Sequence, residues 1–236
     1  MPMRSRGFFV SGTDTGVGKT VVACALLRAM RRRGLDAGAM KPIETGVGAE
    51  GPLDAQALRS AAAAAEPLEE ICPQTFALPA APTVAATSEG RDVEMEAIRD
   101  AFARLRQRHQ WLVVEGAGGL LVPAAPGLTM ADLCRELELP LLIVCRAALG
   151  TINHTLLTLE AAEARNLPVA GVVISHSGGQ LSDADQANLE ALRDGLGPRL
   201  VGEVPPLRDG ELPGEKHIDL DALLERADQV PDARPF

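Results

Sequence analysis

A glycine-rich segment that ends in lysine and threonine is the clearest chemical feature of the sequence. Residues 12–20 read Gly-Thr-Asp-Thr-Gly-Val-Gly-Lys-Thr, between an apolar run and an amphipathic stretch. In such loops the backbone N–H groups and the positive end of the following helix bind phosphate, the lysine neutralises the β/γ oxygens, and the threonine hydroxyl is a Mg²⁺ ligand. The segment therefore predicts nucleoside triphosphate binding, with five residues instead of the usual four between Gly12 and Gly18.

An acidic residue at the end of a buried strand is the next candidate. Glu115 follows the apolar run Trp111–Val114 and precedes a Gly-Ala-Gly-Gly segment. Ligands of open parallel α/β sheets bind outside the carboxyl ends of the strands. Mg²⁺ prefers oxygen ligands, and the glycines permit close approach of a ligand. We therefore predict that Glu115 ligates a metal together with Thr20.

Two further charged residues lie where strands and helices change over. Lys41 ends a short apolar run and Pro42 stops it there, so the ammonium is expected in the same crevice; a solvated surface lysine is the alternative. Asp54 stands at a predicted helix start. On the residues alone, a charge that favours the helix dipole is the simpler interpretation there.

The segment Gly150–Asn153 begins a predicted helix after another apolar run. Its free N–H groups could bind a carboxylate, but plain capping by Thr151 would give the same sequence pattern. His154 is interpreted as structural. His109 and His217 are interpreted as surface residues.

Short apolar runs alternate with longer amphipathic segments along the whole chain. The strands are apolar throughout, which indicates burial on both faces and hence a parallel sheet. We predict an α/β three-layer sandwich with a mostly parallel sheet of the P-loop NTPase type, as a single domain over residues 1–236. The Pro-rich stretch Pro67–Pro82 is predicted to be irregular. Predicted strands are Gly7–Ser11, Ala37–Lys41, Trp111–Val114, Leu141–Cys145, Val169–Ile174 and Leu200–Val204; predicted helices are Thr20–Arg33, Leu53–Ala65, Val93–His109, Thr129–Glu138, Thr151–Arg165, Asp183–Leu196 and Leu220–Ala227.

Composition argues against several classes of function. With 23 Lys and Arg against 32 Asp and Glu, the net charge is −9, and aromatic residues make up only 3%. An acidic chain with few aromatic side chains is poorly suited to nucleic acid. The sequence has no apolar run of membrane-spanning length, and its four cysteines are scattered without a metal-binding spacing. We expect a cytoplasmic protein without a membrane or nucleic-acid partner, in which Cys24 and Cys145 are buried apolar residues.

Taken together, these motifs resemble the dethiobiotin synthetases, the ATP-dependent ligases of biotin synthesis. The resemblance extends from Gly7 to about Leu224 and depends on six segments in the same order. They are the loop at 12–20, Lys41-Pro42 with Thr45-Gly46, Asp54, the segment 114–119, the segment 149–154, and Gly-Glu-Val-Pro at 202–205.

The resemblance implies a role for each matching residue. It places Lys19, Lys41 and Thr15 around the reacting groups as catalytic residues, and it assigns Thr20, Asp54 and Glu115 to Mg²⁺, which reverses the simpler interpretation of Asp54. It implies that Thr45 contacts the diamine and that Gly150, Thr151 and Asn153 receive the substrate carboxylate across a homodimer interface. Residues expected to bind ATP are Gly16, Val17, Gly18, Lys19, Thr20, Val21, Glu115, Gly116, Ala117, Gly118, Ser175, His176, Pro205, Pro206 and Leu207.

One position departs from the family pattern. After the strand Val169–Ile174 the family usually carries an asparagine that hydrogen-bonds adenine, whereas this sequence has Ser175 and then His176. A hydroxyl offers fewer donors and acceptors than a carboxamide. We therefore expect weak selection of the base, with strong binding of the phosphates.

The reaction that the resemblance implies is carboxylation of 7,8-diaminononanoate by CO₂, phosphorylation of the carbamate by ATP, and ring closure to dethiobiotin with release of ADP and phosphate. Two other ATP-using classes share this kind of loop. A partitioning ATPase would carry a lysine five residues before Lys19, where this sequence has Asp14. An amidoligase of corrinoid synthesis would need a glutaminase module, for which we expect no room in 236 residues.

Overall fold

The computed structural model describes residues 6–177, 181–207 and 215–229. Within these residues, six strands form one parallel sheet in which sequence-distant strands are neighbours, and four short strands form two separate pairs. In chain order the strands are β1 (Arg6–Gly12), β2 (Ala37–Met40), β3 (Ile43–Thr45), β4 (Gln74–Phe76), β5 (Trp111–Gly119), β6 (Pro123–Ala125), β7 (Leu128–Thr129), β8 (Leu141–Arg146), β9 (Val169–Ser175) and β10 (Leu200–Val204).

The main sheet has the order β10-β9-β8-β1-β5-β2, and its neighbours are all parallel. No helix in the described part of the chain is long and apolar enough to cross a bilayer. The helices are α1 (Lys19–Arg32), α2 (Leu53–Ala62), α3 (Leu68–Ile71), α4 (Pro82–Ser88), α5 (Met95–Arg108), α6 (Met130–Glu136), α7 (Thr151–Glu163), α8 (Asp183–Leu196) and α9 (Leu220–Gln229).

The core consists of two apolar layers, one on each face of the main sheet. Alternation along β1 sends Phe8 and Val10 to the layer under α1, α2 and α9, and sends Phe9 to the layer under α4 to α8. Strands that are apolar on both faces are therefore covered on both faces by helices. This confirms the predicted three-layer α/β fold. That residues 1–236 form a single domain stays a prediction.

The prediction that Pro67–Pro82 is irregular is wrong. This stretch contains the short helix α3 and the strand β4, and helix α4 begins at its last residue. Strand β4 pairs in parallel with β3, a strand that the sequence did not indicate. Pro82 occupies the first turn of α4, where proline is tolerated because an N–H there has no partner within the helix.

Strand β5 is also longer than predicted. The glycine-rich segment expected to be a loop continues the strand to Gly119, which pairs with Gly12 of β1 after an irregularity in the register. Glu115, predicted at the end of the strand, consequently lies within it. Its side chain is held by a paired backbone on the sheet's carboxyl edge.

A group of charged residues lies at the amino ends of β2 and β5 and is here called the amino-edge cluster: Asp36, Glu66, Glu70, Arg108 and His109. The ring of His109 lies 2.7 Å from Asp36 Oδ1 through Nδ1 and 3.1 Å from Glu66 Oε1 through Nε2. Arg108 donates to Glu70 over 2.9 Å. The side chain of His109 is only 15% exposed, so its predicted surface position is wrong. His217 forms part of a short 3₁₀ helix.

Candidate active site

The loop between β1 and α1 has the backbone geometry of an anion-binding turn. Gly16 and Gly18 have φ angles of 72° and 92°, in the left-handed region that favours glycine. A side-chain carbon at position 18 would stand 2.3 Å from Ser175 Oγ, so a larger residue there would also force that serine to move. Gly18 precedes the first residue of α1, and no side chain caps that helix. The N–H groups of its first turn therefore remain available to an anion.

Lys19 is folded back onto its own loop. Its ammonium donates to the backbone oxygen of Asp14 over 3.1 Å, and the residue is buried. The carboxylate of Asp14 accepts a hydrogen bond from the N–H of Thr15 over 2.7 Å. Burial, with the ammonium of Lys41 as the next cause, lowers the pKa of Lys19. The lysine is thus a desolvated cation, for which an anion in the loop would be a better partner than a carbonyl oxygen.

Four side chains from separate elements meet beside this lysine. Thr20 Oγ1 donates to Glu115 Oε1 over 3.0 Å. Lys41 Nζ donates to the same Glu115 oxygen over 2.5 Å and to Asp54 Oδ2 over 2.8 Å. With Lys19 these residues are called the carboxyl-edge cluster, because they collect at the carboxyl ends of β1, β2 and β5 and at the start of α2.

The charges of the cluster are tightly coupled. Burial lowers the pKa of Lys41, but the carboxylates of Glu115 and Asp54 outweigh burial and hold it above its usual value. Burial raises the pKa of Glu115, an effect that Lys41 offsets only in part. Burial also acts upward on the pKa of Asp54, yet Lys41 brings it below its ordinary value. Lys41 therefore stays an ammonium between the two acids.

Two predicted substrate contacts lie on elements near this edge. Thr45 ends β3 and is partly buried. Helix α7 begins after Gly150, which has φ 88°, and no side chain caps its N-terminus. Thr151 is buried as the first residue of α7 and its hydroxyl does not cap the helix, which excludes capping by Thr151 as the reason for this sequence pattern. Asn153 is exposed on the first turn of the helix.

The segment after β9 lies against the phosphate loop. Ser175 is buried beside Gly18, and Ser177 Oγ donates to the backbone oxygen of Gly16 over 3.2 Å. The next side chain, His176, contacts Glu203 Oε1 through Nε2 at 2.6 Å. Glu203 also accepts from Arg193, over 2.6 Å and 2.9 Å. Beyond β10, residues 205–207 (Pro205, Pro206 and Leu207) form a connection without regular structure, in which Pro206 is exposed.

Comparison with known proteins supplies the family. A sequence profile described as an AAA domain matches residues 6–213. The chain is 57% identical over 173 residues to the ATP-dependent dethiobiotin synthetase BioD of Anaeromyxobacter dehalogenans, which covers 73% of this chain and 78% of that protein. The same enzyme of Bacillus licheniformis is 38% identical over 227 residues, 94% of this chain and 97% of that one. The chain belongs to the ATP-dependent dethiobiotin synthetases.

Among solved structures, the MinC:MinD cell division complex of Aquifex aeolicus aligns over 98% of both chains, with a TM-score of 0.52 and 13% identity. That likeness shows a shared fold and nothing about the reaction. The predicted P-loop NTPase type is confirmed. Membership of the dethiobiotin synthetase family confirms the predicted enzyme class, an ATP-using ligase.

The oxygen atoms of the cluster fit a small divalent cation. Glu115 Oε2 is buried without a hydrogen-bond partner, and the other donors are a hydroxyl and a carboxylate, the hard oxygens that Mg²⁺ prefers. In the described ranges no three His, Cys, Asp or Glu side chains form a group that could hold a metal. A cation here would need phosphate oxygens or water as further ligands, which is the usual way Mg²⁺ binds with nucleotides.

One polar residue of this dethiobiotin synthetase site was not singled out from the sequence. Glu44 lies on β3 and is 6% exposed. Its carboxylate accepts hydrogen bonds from the backbone N–H groups of Asp54 and Ala55. Burial raises the pKa of Glu44, and those N–H groups counteract this in part. The only sequence signal was an acidic residue shortly after Lys41-Pro42, and nothing in the spacing pointed to α2.

Proposed function

We propose that the protein converts 7,8-diaminononanoate, CO₂ and ATP to dethiobiotin, ADP and phosphate. The observation that carries this proposal is the carboxyl-edge cluster: two buried lysines and two acids beside a phosphate loop, in a chain of the dethiobiotin synthetase family. A chain that only bound nucleotide would not require the second buried lysine, Lys41.

The proposed reaction has three steps. One amine of the substrate attacks CO₂ and loses a proton, giving a carbamate. A carbamate oxygen attacks the γ-phosphorus of ATP, which releases ADP and forms a carbamic-phosphoric anhydride. The second amine then attacks the carbamate carbon, loses a proton and expels phosphate as the cyclic urea closes. The substrate brings its own nucleophiles, so no side chain has to act as one.

The side chains are needed to stabilise the negative charge of the reacting groups. A carbamate and a transferring phosphoryl group are both anionic, and preorganised cations are the main way to stabilise them together. Lys19 would turn from the Asp14 carbonyl to the β/γ oxygens, and Lys41 would stabilise the carbamate and the transferred phosphoryl group. Thr15, exposed at the tip of the loop, would contact the same groups. Burial of both lysines supports these roles because electrostatic interactions are stronger away from water.

Thr20, Asp54 and Glu115 would hold Mg²⁺. When bound, the cation would neutralise phosphate oxygens during transfer. The unpaired oxygen of Glu115 supports this assignment. We extend nucleotide contact to the loop and its neighbours: Gly16, Val17, Gly18, Val21, Gly116, Ala117, Gly118, Ser175, His176, Pro205, Pro206 and Leu207.

The diamine would contact Thr45, and its carboxylate would bind the N-terminus of α7 (Gly150, Thr151 and Asn153) in a second copy of the chain. A homodimer is supported by the outward side of α7. Leu149, just before the helix, and Leu156 and Leu157 on it are 74%, 51% and 55% exposed, whereas Thr155 and Thr158 face inward. A helix that faces solvent normally exposes polar side chains and buries apolar ones, whereas this helix exposes leucines and buries threonines. An exposed apolar patch of this kind is typical of an interface. A cytoplasmic location stays part of the proposal.

Incubation with 7,8-diaminononanoate, bicarbonate, Mg²⁺ and ATP tests the function directly. Mass spectrometry should detect the cyclic urea, with one ADP formed for each urea. Omission of bicarbonate should abolish both products. ADP formation without any urea in the complete mixture would show that the protein is an ATPase with another acceptor.

A further inference from the structure

Glu44 joins two parts of the site that are ten residues apart in sequence. Its Oε1 accepts from the N–H of Asp54 and its Oε2 accepts from the N–H of Ala55, both over 3.0 Å. Both carboxylate oxygens are therefore committed to the first turn of α2. The side chain is buried, so water does not compete for these bonds.

Among the described residues, no other side chain accepts from the first turn of α2. Pro52 precedes the helix, and no side-chain cap is formed there. The first N–H groups of a helix have no partner within the helix, and an unsatisfied buried donor is costly. The negative charge of Glu44 also suits the positive end of the helix dipole. Glu44 thus caps α2 from a neighbouring strand.

The bonded turn contains a residue of the carboxyl-edge cluster. Asp54 is the second residue of α2, and its carboxylate meets Lys41 at 2.8 Å. Because the backbone N–H of Asp54 is tied to Glu44, its Cα cannot move away from the cluster without breaking that bond. Glu44 in turn is fixed through β3, which is paired with β4 and begins two residues after Lys41.

We propose that Glu44 is a positioning residue that holds the carboxylate of Asp54 at the cation site by capping α2. The proposal rests on the proposed function for the identity of the cation, and it concerns the backbone geometry of this chain. Residues that orient metal ligands commonly change metal affinity by about 10- to 100-fold when removed.

The test measures binding of Mn²⁺, used in place of Mg²⁺, to the full chain in the presence of ADP. The electron paramagnetic resonance signal of free Mn²⁺ reports how much of the ion remains unbound. In E44A the Kd for Mn²⁺ should rise about 10- to 100-fold. E44Q keeps one oxygen acceptor and should recover part of this loss. The Mg²⁺ concentration for half-maximal activity should rise more in E44A than in E44Q, while KM for the diamine changes little in either variant.

A matched control separates positioning from simple loss of a helix cap. Asp132 accepts from the N–H of Thr129 in the capping box of α6, a helix that contributes no residue to the carboxyl-edge cluster. D132A should lower the melting temperature and leave the Mn²⁺ Kd unchanged. In a D54N background, E44A should cause no further rise in the Mn²⁺ Kd, because the group that it positions is already removed.

Several results would overturn the proposal. The first is a Kd for Mn²⁺ in folded E44A equal to that of the wild type, and the second is a rise in Kd in D132A as large as in E44A. The third is a further rise in Kd when E44A is added to D54N, and the fourth is absence of Mn²⁺ binding by the wild type. If E44A does not fold, the same Kd comparison between E44Q and wild type decides, and an unchanged value contradicts the proposal. Failure of the wild type to form the cyclic urea, with the Mn²⁺ results as expected, would count against the proposed function and leave the positioning role standing.

Discussion

Strands β2 and β5 carry a charged cluster at each end, and the two clusters differ in how well their charges are satisfied. At the amino edge, the ring of His109 lies between Asp36 and Glu66, while Arg108 bonds to Glu70. Burial would raise the pKa of Glu66, but hydrogen bonds from its backbone and from His109 bring it below its ordinary value. Glu70 Oε1 is buried without a hydrogen bond, as one Glu115 oxygen is at the other edge, but the guanidinium of Arg104 lies 3.4 Å from it. Each carboxylate of this edge therefore has a basic side chain beside it.

At the carboxyl edge the pairing is incomplete. Lys41 and Glu115 are almost fully enclosed, yet within the described residues one Glu115 oxygen has no hydrogen-bond partner and the ammonium of Lys19 bonds only to a carbonyl oxygen. Unsatisfied buried polar atoms are costly in a structural role, and in natural proteins they concentrate at functional sites. Charge alone does not distinguish the two edges. The two edges differ in position, because the unpaired atoms of the carboxyl edge lie beside the phosphate loop, where a bound phosphate or cation would supply the partners.

The largest effect should come from the lysine at the centre of the carboxyl edge. Lys41→Gln keeps the polarity but removes the charge, so kcat should fall by about 10²- to 10³-fold, the effect of one lost transition-state donor. Binding of ATP should change little because Lys19 and the loop remain. Steady-state kinetics of urea formation measure both.

The matched change at the amino edge is Arg108→Gln, which also removes a cation from a carboxylate and should leave kcat unchanged. Comparable losses in the two variants would mean that the edges do not differ as argued. A wild-type kcat in Lys41→Gln would exclude Lys41 from catalysis.

If the carboxyl edge is completed by a second chain, a change on α7 should impair it and spare the amino edge. Leu156→Asp places a charge where about 1.5–3 kcal/mol of apolar burial is expected, enough to weaken a dimer by roughly 10- to 150-fold. Sedimentation equilibrium should show a monomer, with a raised KM for the diamine. A fully active wild-type monomer would refute the shared site.

The amino edge should respond in stability instead of rate. His109→Ala leaves the buried carboxylate of Glu66 without its ring partner, at a cost of about 1–3 kcal/mol in the free energy of unfolding. Urea denaturation measures the change, and His109→Gln, which keeps a donor, should recover part of it. A lowered kcat in the folded alanine variant would assign this edge a catalytic influence that we do not expect.

The smallest effect concerns recognition of the nucleotide base, which neither cluster is expected to contact. Ser175 offers one hydroxyl, and a lost neutral hydrogen bond is worth about 0.5–1.5 kcal/mol, or roughly 2- to 13-fold in discrimination. We expect weak selection among ATP, GTP and CTP, with Ser175→Asn shifting preference toward ATP by this factor. The kcat/KM for each nucleotide in both proteins checks it. Strong ATP preference that the substitution leaves unchanged would place recognition elsewhere, in His176 or in residues 205–207.

Much of the carboxyl edge was predictable from short-range pattern. Lys19 and Thr20 follow the glycine loop, while Lys41 and Glu115 each lie at the end of an apolar run. Parallel strands bring their carboxyl ends to one edge, so a position within a strand predicts a position in space. Asp54 had no such signal. Its placement depended on the family resemblance, and its contact with Lys41 is seen only in the fold.

The sequence by itself determined the layered fold, the phosphate loop and the edge of the sheet where charge collects, because apolar periodicity and glycine spacing act over a few residues. Only the tertiary structure decided which charges are paired. Glu44 caps a helix ten residues away, and His109 contacts Asp36 across 73 residues of sequence. Such bonds depend on distances between separate elements, which packing of the whole core sets and no local pattern encodes.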